Sequence, residues 1–432
     1  MKIAIFLILF SSLTFANNNP NFSTNRLIVK IKKGQSAPIF KNAISTKLLF
    51  SNVYVVRTHS LEKLEEEISH IPAIEYTERD YKAKPKELAK LGAIPVMDKT
   101  IQMASPFNDP KVSRIWSFKS AQKHGISIND VYNNTKATSS QTIVAVVDTG
   151  VDYTHEDLKD VMWVNAGEIA NNGIDDDNNG YVDDVHGINT LNRDNDGNAT
   201  GNMKDTHGHG THVSGTIGAT QNNGVGIAGI ASNVKIMGIR TVPNSGDETD
   251  VDVIESYIYA AKNGAKIINC SFGKSHNEGG MAVSEAIEFI GKEYGVLVIV
   301  AAGNSTQNID RKLTYPASFS NDNLLVVAST QKRGGLSYFS NYGIRNVDLA
   351  APGSNIYSTV PGGYSSMSGT SMASPTTTGV AAEVLTRYPN LTHLELKQVL
   401  MDTVTKISRF SSKMVSGGRV DLKKSLARAD SL

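Results

Sequence analysis

From about residue 108 onward, short apolar runs alternate with stretches of helical periodicity, and this alternation constrains the fold more than any other feature. The runs are TIVAVV (142–147), VKIMGI (234–239), AKIINCSF (265–272), VLVIVAA (296–302) and LLVVAS (324–329). Helix candidates lie between and after them, near 211–219, 251–263, 279–293, 372–387 and 393–405. Strands that are apolar on both faces and separated by helices predict an α/β fold with a mainly parallel sheet between helical layers. In such sheets ligands and reactive groups collect at the carboxyl ends of the strands.

A smaller unit is expected at 26–81. RLIVKIK (26–32) alternates as a strand, VYVVRTH (53–59) and IEYTERDY (74–81) read as further strands, and Leu61, Leu64, Ile68 and Ile71 mark one face of a helix. Residues 82–107 show no clear period and read as a linker. At the N-terminus, Lys2 precedes the apolar run IAIFLILF (3–10) and a small residue, Ala16, closes the segment. Residues 1–16 therefore read as a secretory signal peptide, too short to span a bilayer. With 43 basic and 42 acidic side chains the net charge is +1, and nothing points to nucleic acid or an anionic membrane. The single cysteine, Cys270, excludes an internal disulfide and reads as a small buried apolar side chain.

Chemistry-bearing residues fall where the strand-end rule directs attention. Asp148 closes the first strand and precedes the turn Thr149-Gly150. Asn304 follows Gly303 at the end of another strand, free to be a turn residue or a hydrogen-bond donor into a cleft. Ser371 stands at the start of a helix of small residues, where a dipole and free N–H groups favour negative charge. Pro375 is expected in the first turn of that helix. In THGHGTHVSG (206–215), His207, His209 and His212 could form a metal cluster, or one could be a base. An acid, a histidine, an amide donor and a serine at a helix start make a complete set for serine-nucleophile hydrolysis. Their order along the chain, Asp, His, Ser, is one of the orders in which this geometry occurs.

AVVDTGVD, HGTHVSG, AAGN and SGTSMASP, in that order, resemble the four signature segments of subtilisin-like serine proteases, the subtilases. YPAS (315–318), DLAAPG (348–353) and GRVDL (418–422) match further landmarks of the family. The resemblance covers roughly 108–430 and implies the three-layer subtilisin-like fold for that region. It implies Asp148 as orienting acid, His209 as general base, Ser371 as nucleophile and Asn304 as oxyanion donor, with the Ser371 backbone N–H as a second donor. His212 and His207 become supporting neighbours. Ser271-Phe272-Gly273 and Ala301-Ala302-Gly303 match the two walls of the family's primary specificity pocket. No acid lies in either wall, so apolar or aromatic residues are expected before the cut bond. Residues 26–81 resemble the family's inhibitory propeptide, a small α+β domain, with the processing site expected in 82–107. One departure is Thr376-Thr377-Thr378, which follows SMASP where the family usually carries His-Val-Ala, and which bears on local packing.

Oxygen-rich loops suggest calcium. Asp175, Asp177 and Asn179 alternate before Gly180, and Asp183 and Asp184 follow; these are hard ligands at alternate positions, but not a full EF-hand. TQNNGVGIAG (220–229) resembles the family's strong calcium loop, which implies side-chain ligands Asp157 and Asn223 and carbonyls from Gln221, Val225 and Ile227. The expectation is a secreted, extracellular or periplasmic, monomeric endopeptidase made as a self-processing zymogen. It would act on polypeptides, be held by its own propeptide, bind structural Ca²⁺ and need no organic cofactor. The rivals are a metallohydrolase built on the histidine cluster and an inactive or weak calcium-binding protein of the same fold.

Overall fold

A computed structural model describes residues 21–83, 105–132, 140–194, 197–245, 248–274 and 280–432. The expected signal peptide at 1–16 and most of the expected linker at 82–107 lie outside the described residues.

The N-terminal unit is built from β1 (Phe22–Ile31), β2 (Ala43–Phe50), β3 (Val53–Thr58), α1 (Leu61–Ser69) and β4 (Ile74–Tyr81), with antiparallel sheet order β2-β3-β1-β4. Ser60 caps α1 by accepting from Lys63 N. Leu27, Val29, Ile31 and Val56 pack on Leu61, Leu64 and Ile68 of α1, the helical stripe the spacing predicts. The other face of the sheet, with Ile28, Val53 and Val55, packs into the core of the larger domain. Strand β2 escapes the sequence reading because its pattern is inverted: Ile44 and Leu48 are exposed while Lys47 turns inward to Glu255, 2.9 Å away.

The larger domain contains, in order, α2 (Ile128–Tyr132), β5 (Thr142–Asp148), β6 (Gly187–Arg193), β7 (Ala199–Thr200), α3 (His209–Gly218), β8 (Val234–Arg240), α4 (Asp250–Lys262), β9 (Ile267–Cys270), α5 (Met281–Tyr294), β10 (Leu297–Ala301), β11 (Leu324–Thr330), β12 (Leu349–Pro352), β13 (Ile356–Val360), β14 (Gly363–Met367), α6 (Thr370–Arg387), α7 (His393–Asp402), β15 (Thr405–Lys406), β16 (Gly418–Arg419) and α8 (Leu422–Ala429). Ten strands form one sheet, ordered β15-β16-β12-β11-β10-β9-β5-β8-β6-β7. Pairings from β16 to β6 are parallel, and the two short edge pairs are antiparallel. The mainly parallel three-layer sheet is therefore present. Side chains alternate between its faces: Val144, Val146, Leu297 and Ile299 point into the layer with α3 and α6, while Ala145, Val147, Val298 and Val300 point into the layer with α4 and α5.

Pro375 lies deeper in α6 than expected. The helix starts at Thr370, so Pro375 is its sixth residue and stands in the second turn. Its missing N–H leaves the Ser371 carbonyl without an intrahelical donor, and the Ser271 hydroxyl fills that role at 3.0 Å. The three threonines that depart from the family pattern are also satisfied: Thr376 donates to Met372 O and Pro352 O, Thr377 to Ala373 O, and Thr378 to Asn269 Oδ1. Among the described residues no helix is long and apolar enough to cross a membrane.

Candidate active site

The carboxyl edge of the sheet gathers the residues expected to carry chemistry. Asp148 ends β5, and the 148–150 turn meets the first turn of α3 so closely that a Cβ on Gly210 would lie 2.1 Å from Gly150 O. This approach places His209 Nδ1 2.7 Å from Asp148 Oδ1, with both side chains buried. A second acid, Asp205, organises the helix entry. One of its oxygens accepts from His207 N and Gly208 N, and the other accepts from Thr211 N and Thr211 Oγ1. Thr149 Oγ1 donates to Asp205 and accepts from Gly210 N, which joins the two turns. Nothing in the sequence marks Asp205 except its place shortly before the helix start, three residues ahead of the N-cap Gly208.

The three histidines have different surroundings. Burial disfavours charge on His209, but the attraction and hydrogen bond of Asp148 outweigh it and hold the ring above its ordinary pKa. Burial pushes His212 down to about 3, a neutral ring whose Nε2 meets Ile356 O at 2.9 Å. His207 is half-buried and is lowered by burial and by the charge of His209, its ring 6.4 Å away. One nitrogen of each ring, His209 Nδ1 and His212 Nε2, is bonded to a different partner. Among the described residues, the group of side chains that could share a metal contains no histidine.

Ser371 is the second residue of α6 and is 7% exposed. Its hydroxyl donates to Ser271 O at 2.9 Å, and His209 Nε2 has no hydrogen-bond partner. Asn304 Oδ1 accepts from Thr370 N and Thr370 Oγ1, both at 2.8 Å, so the amide's orientation is fixed and Nδ2 is left to face the cleft. A Cβ built on Gly369 would stand 3.5 Å from Asn304 Nδ2 and 3.5 Å from Ser371 N. The two N–H donors therefore lie at equal distance from one position on Gly369.

The two expected pocket walls follow neighbouring strands. Ser271-Phe272-Gly273 leaves β9, and Ala301-Ala302-Gly303 leaves β10, its parallel partner. Beside Phe272 lies a small half-open pocket that the sequence pattern does not anticipate, lined also by Ala83, Asp250, Val253, Lys274 and Tyr315. Lys274 Nζ pairs with both oxygens of Asp250 at 2.7 Å. Ala83 belongs to the N-terminal unit: after β4 the chain bonds to the 248–249 segment through Ala83 N to Glu248 O, 3.0 Å, and an antiparallel bridge from Lys82 to Thr249. That unit is held by charge as well. Arg26 meets Asp252 at 3.0 Å, Lys30 meets Glu285 at 2.8 Å, Asp80 accepts from Val251 N at the start of α4, and Glu78 accepts from Gly280 N and Met281 N at the start of α5. Cys270 is buried, donates to Tyr257 OH at 3.2 Å and is pushed up by burial, so its thiol is inert.

In the acidic loop, Asp175 and Asp177 join Glu168, which the sequence pattern does not mark, and each offers an oxygen within 4.8 Å of the others. Such a set of hard oxygens fits calcium. The loop's side chains also brace it: both oxygens of Glu168, Asp175 and Asp177 accept from N–H groups of the loop or its neighbours. Asn179 Nδ2 donates to Asp177 and Asp184, Asp183 accepts from Asn172 N and Gly173 N, and buried Asp184 accepts from Tyr259 OH at 2.6 Å. In the second loop, Asp157 accepts from Asn223 Nδ2 at 2.9 Å and from Ile227 N at 2.8 Å, while Asn223 Oδ1 accepts from Val225 N. Gln221 Nε2 donates to Gly229 O, so its side chain is spent elsewhere. The Asn223 nitrogen, not its oxygen, faces the carboxylate, and a cation there would require that amide to turn over.

Comparison with known proteins places this geometry in a family. The model of the subtilase family matches residues 139–418. Subtilisin-like protease 1 of Plasmodium berghei (strain Anka) is 33% identical over 336 residues, covering 73% of this chain and 54% of that protein. An extracellular basic protease of Dichelobacter nodosus is 30% identical over 449 residues, covering 92% of this chain and 69% of that one. A solved protease structure from Pseudoalteromonas arctica PAMC 21717 is 29% identical with a TM-score of 0.60, covering 75% of this chain and 100% of that one. The chain belongs to the subtilase family. It spans about half the length of the Plasmodium relative, 54%.

The bond between Ser271 and Ser371 makes a stability prediction. Ser271→Ala would leave the Ser371 carbonyl, already deprived by Pro375, without a donor. We expect a loss of about 1–3 kcal/mol in urea unfolding; a loss below about 0.3 kcal/mol would show the bond to be unimportant.

Proposed function

We propose that the chain is a serine endopeptidase that hydrolyses polypeptides, made as a zymogen whose N-terminal unit occupies the cleft until it is cut. The observation that carries this reading is the buried Asp148–His209 pair, at 2.7 Å, in a chain that also sets Asn304 Nδ2 and Ser371 N at 3.5 Å from one position on Gly369. In the proposed cycle the Ser371 hydroxyl turns from Ser271 O to His209 Nε2, gives up its proton and attacks the scissile carbonyl. Asp148 keeps the ring's other nitrogen protonated and stabilises the imidazolium. The tetrahedral oxyanion takes hydrogen bonds from Asn304 Nδ2 and Ser371 N. His209 then protonates the departing amine, and water repeats the sequence on the acyl-enzyme. In subtilisin, loss of the oxyanion amide costs about 10²–10³ in kcat.

The zymogen reading is supported by the antiparallel path of Lys82 and Ala83 along 248–249, which sets Ala83 in one pocket with Phe272 and Gly273, and by the ion pairs and helix-start carboxylates of the N-terminal unit. Processing is placed in 82–107 and secretion is assigned to residues 1–16. Intact-mass measurement tests this directly. Wild type is expected to lose its N-terminal region, and Ser371→Ala to stay full length; self-processing by the purified alanine variant would remove Ser371 from the mechanism.

A second reading, a catalytically weak or inactive calcium-binding subtilase, draws on one observation: the Ser371 hydroxyl bonds to Ser271 O rather than to His209. Catalytic hydrogen bonds are often unmade before substrate arrives. Labelling of wild type at Ser371 by a fluorophosphonate decides between the two readings.

The raised pKa of His209 sets the pH profile. The base must be neutral, so kcat/KM is expected to rise with pH through a midpoint above about 6.5, the ordinary imidazole value. Asp148→Asn removes what raises it, so the acid limb should move down while kcat falls. An unmoved limb in that variant would contradict the assignment.

For calcium, we propose Glu168, Asp175 and Asp177 as the holding set, stabilising the fold by mass action. Saturation at 100 times Kd would add about 2.7 kcal/mol. Thermal unfolding of Ser371→Ala, used to avoid self-digestion, should shift upward with calcium, and Asp175→Asn with Asp177→Asn should abolish the shift. An equal shift in that double variant would move the ion elsewhere.

A further inference from the structure

The turn that carries Asn304 is not one a chain adopts by default. Gly303 has φ +99° and Thr306 has φ +56°, and the latter puts a β-branched residue in the left-handed region that such side chains disfavour. Asn304 itself is exposed, so its own packing does not hold it. What holds the turn is a residue far along the chain. Asn341, 1% exposed, sends its backbone N–H to Gly303 O at 2.9 Å and its side-chain Nδ2 to Ala302 O at 2.8 Å. Its Oδ1 accepts from Ser305 N at 3.0 Å and Gln307 N at 2.9 Å. Residues 302, 303, 305 and 307 are thus all tied to one side chain and its backbone, on both sides of Asn304. Neighbouring residues add to the clamp: Thr306 N donates to Phe339 O, and Thr306 Oγ1 donates to Tyr338 O. The segment is itself anchored to the sheet, because Ser340 Oγ accepts from Ser329 N in β11.

We propose that Asn341 is a positioning residue for catalysis: it fixes the turn that aims the Asn304 amide at the oxyanion, without touching substrate. Thr370 fixes which end of that amide faces the cleft; Asn341 fixes where the amide stands. The inference rests on the reading of Asn304 as oxyanion donor. Its physical basis is that donor strength toward a transient anion depends on placement before reaction. A displacement of about 1 Å at a reacting centre can cost about 10² in rate.

The test is a double-mutant cycle in the full-length chain. Asn341→Ala and Asn341→Asp are made alone and combined with Asn304→Ala. Rates on a chromogenic tetrapeptide anilide are normalised by active-site titration. Alone, each Asn341 variant should lower kcat about 10-fold or more with KM changed less than about 3-fold. On top of Asn304→Ala, the same substitution should change kcat less than about 2-fold, because the group through which it acts is gone. Affinity for a peptide boronic acid, which mimics the tetrahedral anion, should fall with kcat, while affinity for a product peptide should not. Equal kcat losses in both backgrounds, or an unchanged kcat, would overturn the proposal. If Asn341→Ala fails to fold, Asn341→Asp decides, since it keeps the size and both acceptor bonds while setting an oxygen, in place of the donor nitrogen, against Ala302 O. Should Asn304→Ala itself leave kcat unchanged, the oxyanion reading fails first, and that result is distinct from failure of the clamp.

Discussion

The site depends on a helix buried along almost its whole length. From Thr370 to Thr386 every residue of α6 is buried, so it can lie against the sheet only with small side chains and with every hydroxyl paired. Much of the pairing is done locally and by one strand residue. Thr376 and Thr377 bond back one turn, while Ser374 and Thr378 both donate to Asn269 Oδ1 in β9. Asn269 Nδ2 in turn donates to Ser271 Oγ, which donates to the Ser371 carbonyl left open by Pro375. A continuous chain of bonds therefore runs from the middle of the sheet to the proposed nucleophile. The helix cannot slide or rotate without breaking several of them.

The same economy governs charge. Asp148 and Asp205 are both buried at the carboxyl edge, each bonded to donors. On the opposite layer, Glu78 and Asp80 meet free N–H groups at the starts of α5 and α4, where helix dipoles favour negative charge. Arg26 bridges Asp80 and Asp252, and Arg193 reaches Asp252 and Glu255 from within the larger domain. The interface between the two units is thus a network of buried charges held by partners from both sides. Losing one partner there costs more than an exposed ion pair would.

How much was legible in advance varied with the range of the interaction. Asp148, Asn304 and Ser371 stood out because strand ends and helix starts are local patterns, while His209 was separated from its neighbours only by the family resemblance. The acidic loop was legible as composition, but Glu168 was not, because it precedes the dense stretch and meets Asp175 and Asp177 only when the loop folds back. Strand β2 was hidden because Lys47 points inward to a partner in α4, which inverts the expected apolar pattern. Pro375 suggested a later helix start, since the usual rule assumes that no side chain can replace the lost N–H; Ser271 replaces it.

The sequence by itself determined the layer architecture, the order of the reactive residues and the family, because each of these is written in spacing along one stretch of chain. The tertiary structure alone decided that Asp205 ties the two turns around Asp148 and His209 together and that Asn341 encloses the turn of Asn304. Those outcomes depend on hydrogen bonds between residues far apart in sequence. Their partners become neighbours only when parallel strands are laid side by side, and no local pattern records which pairs that will bring together.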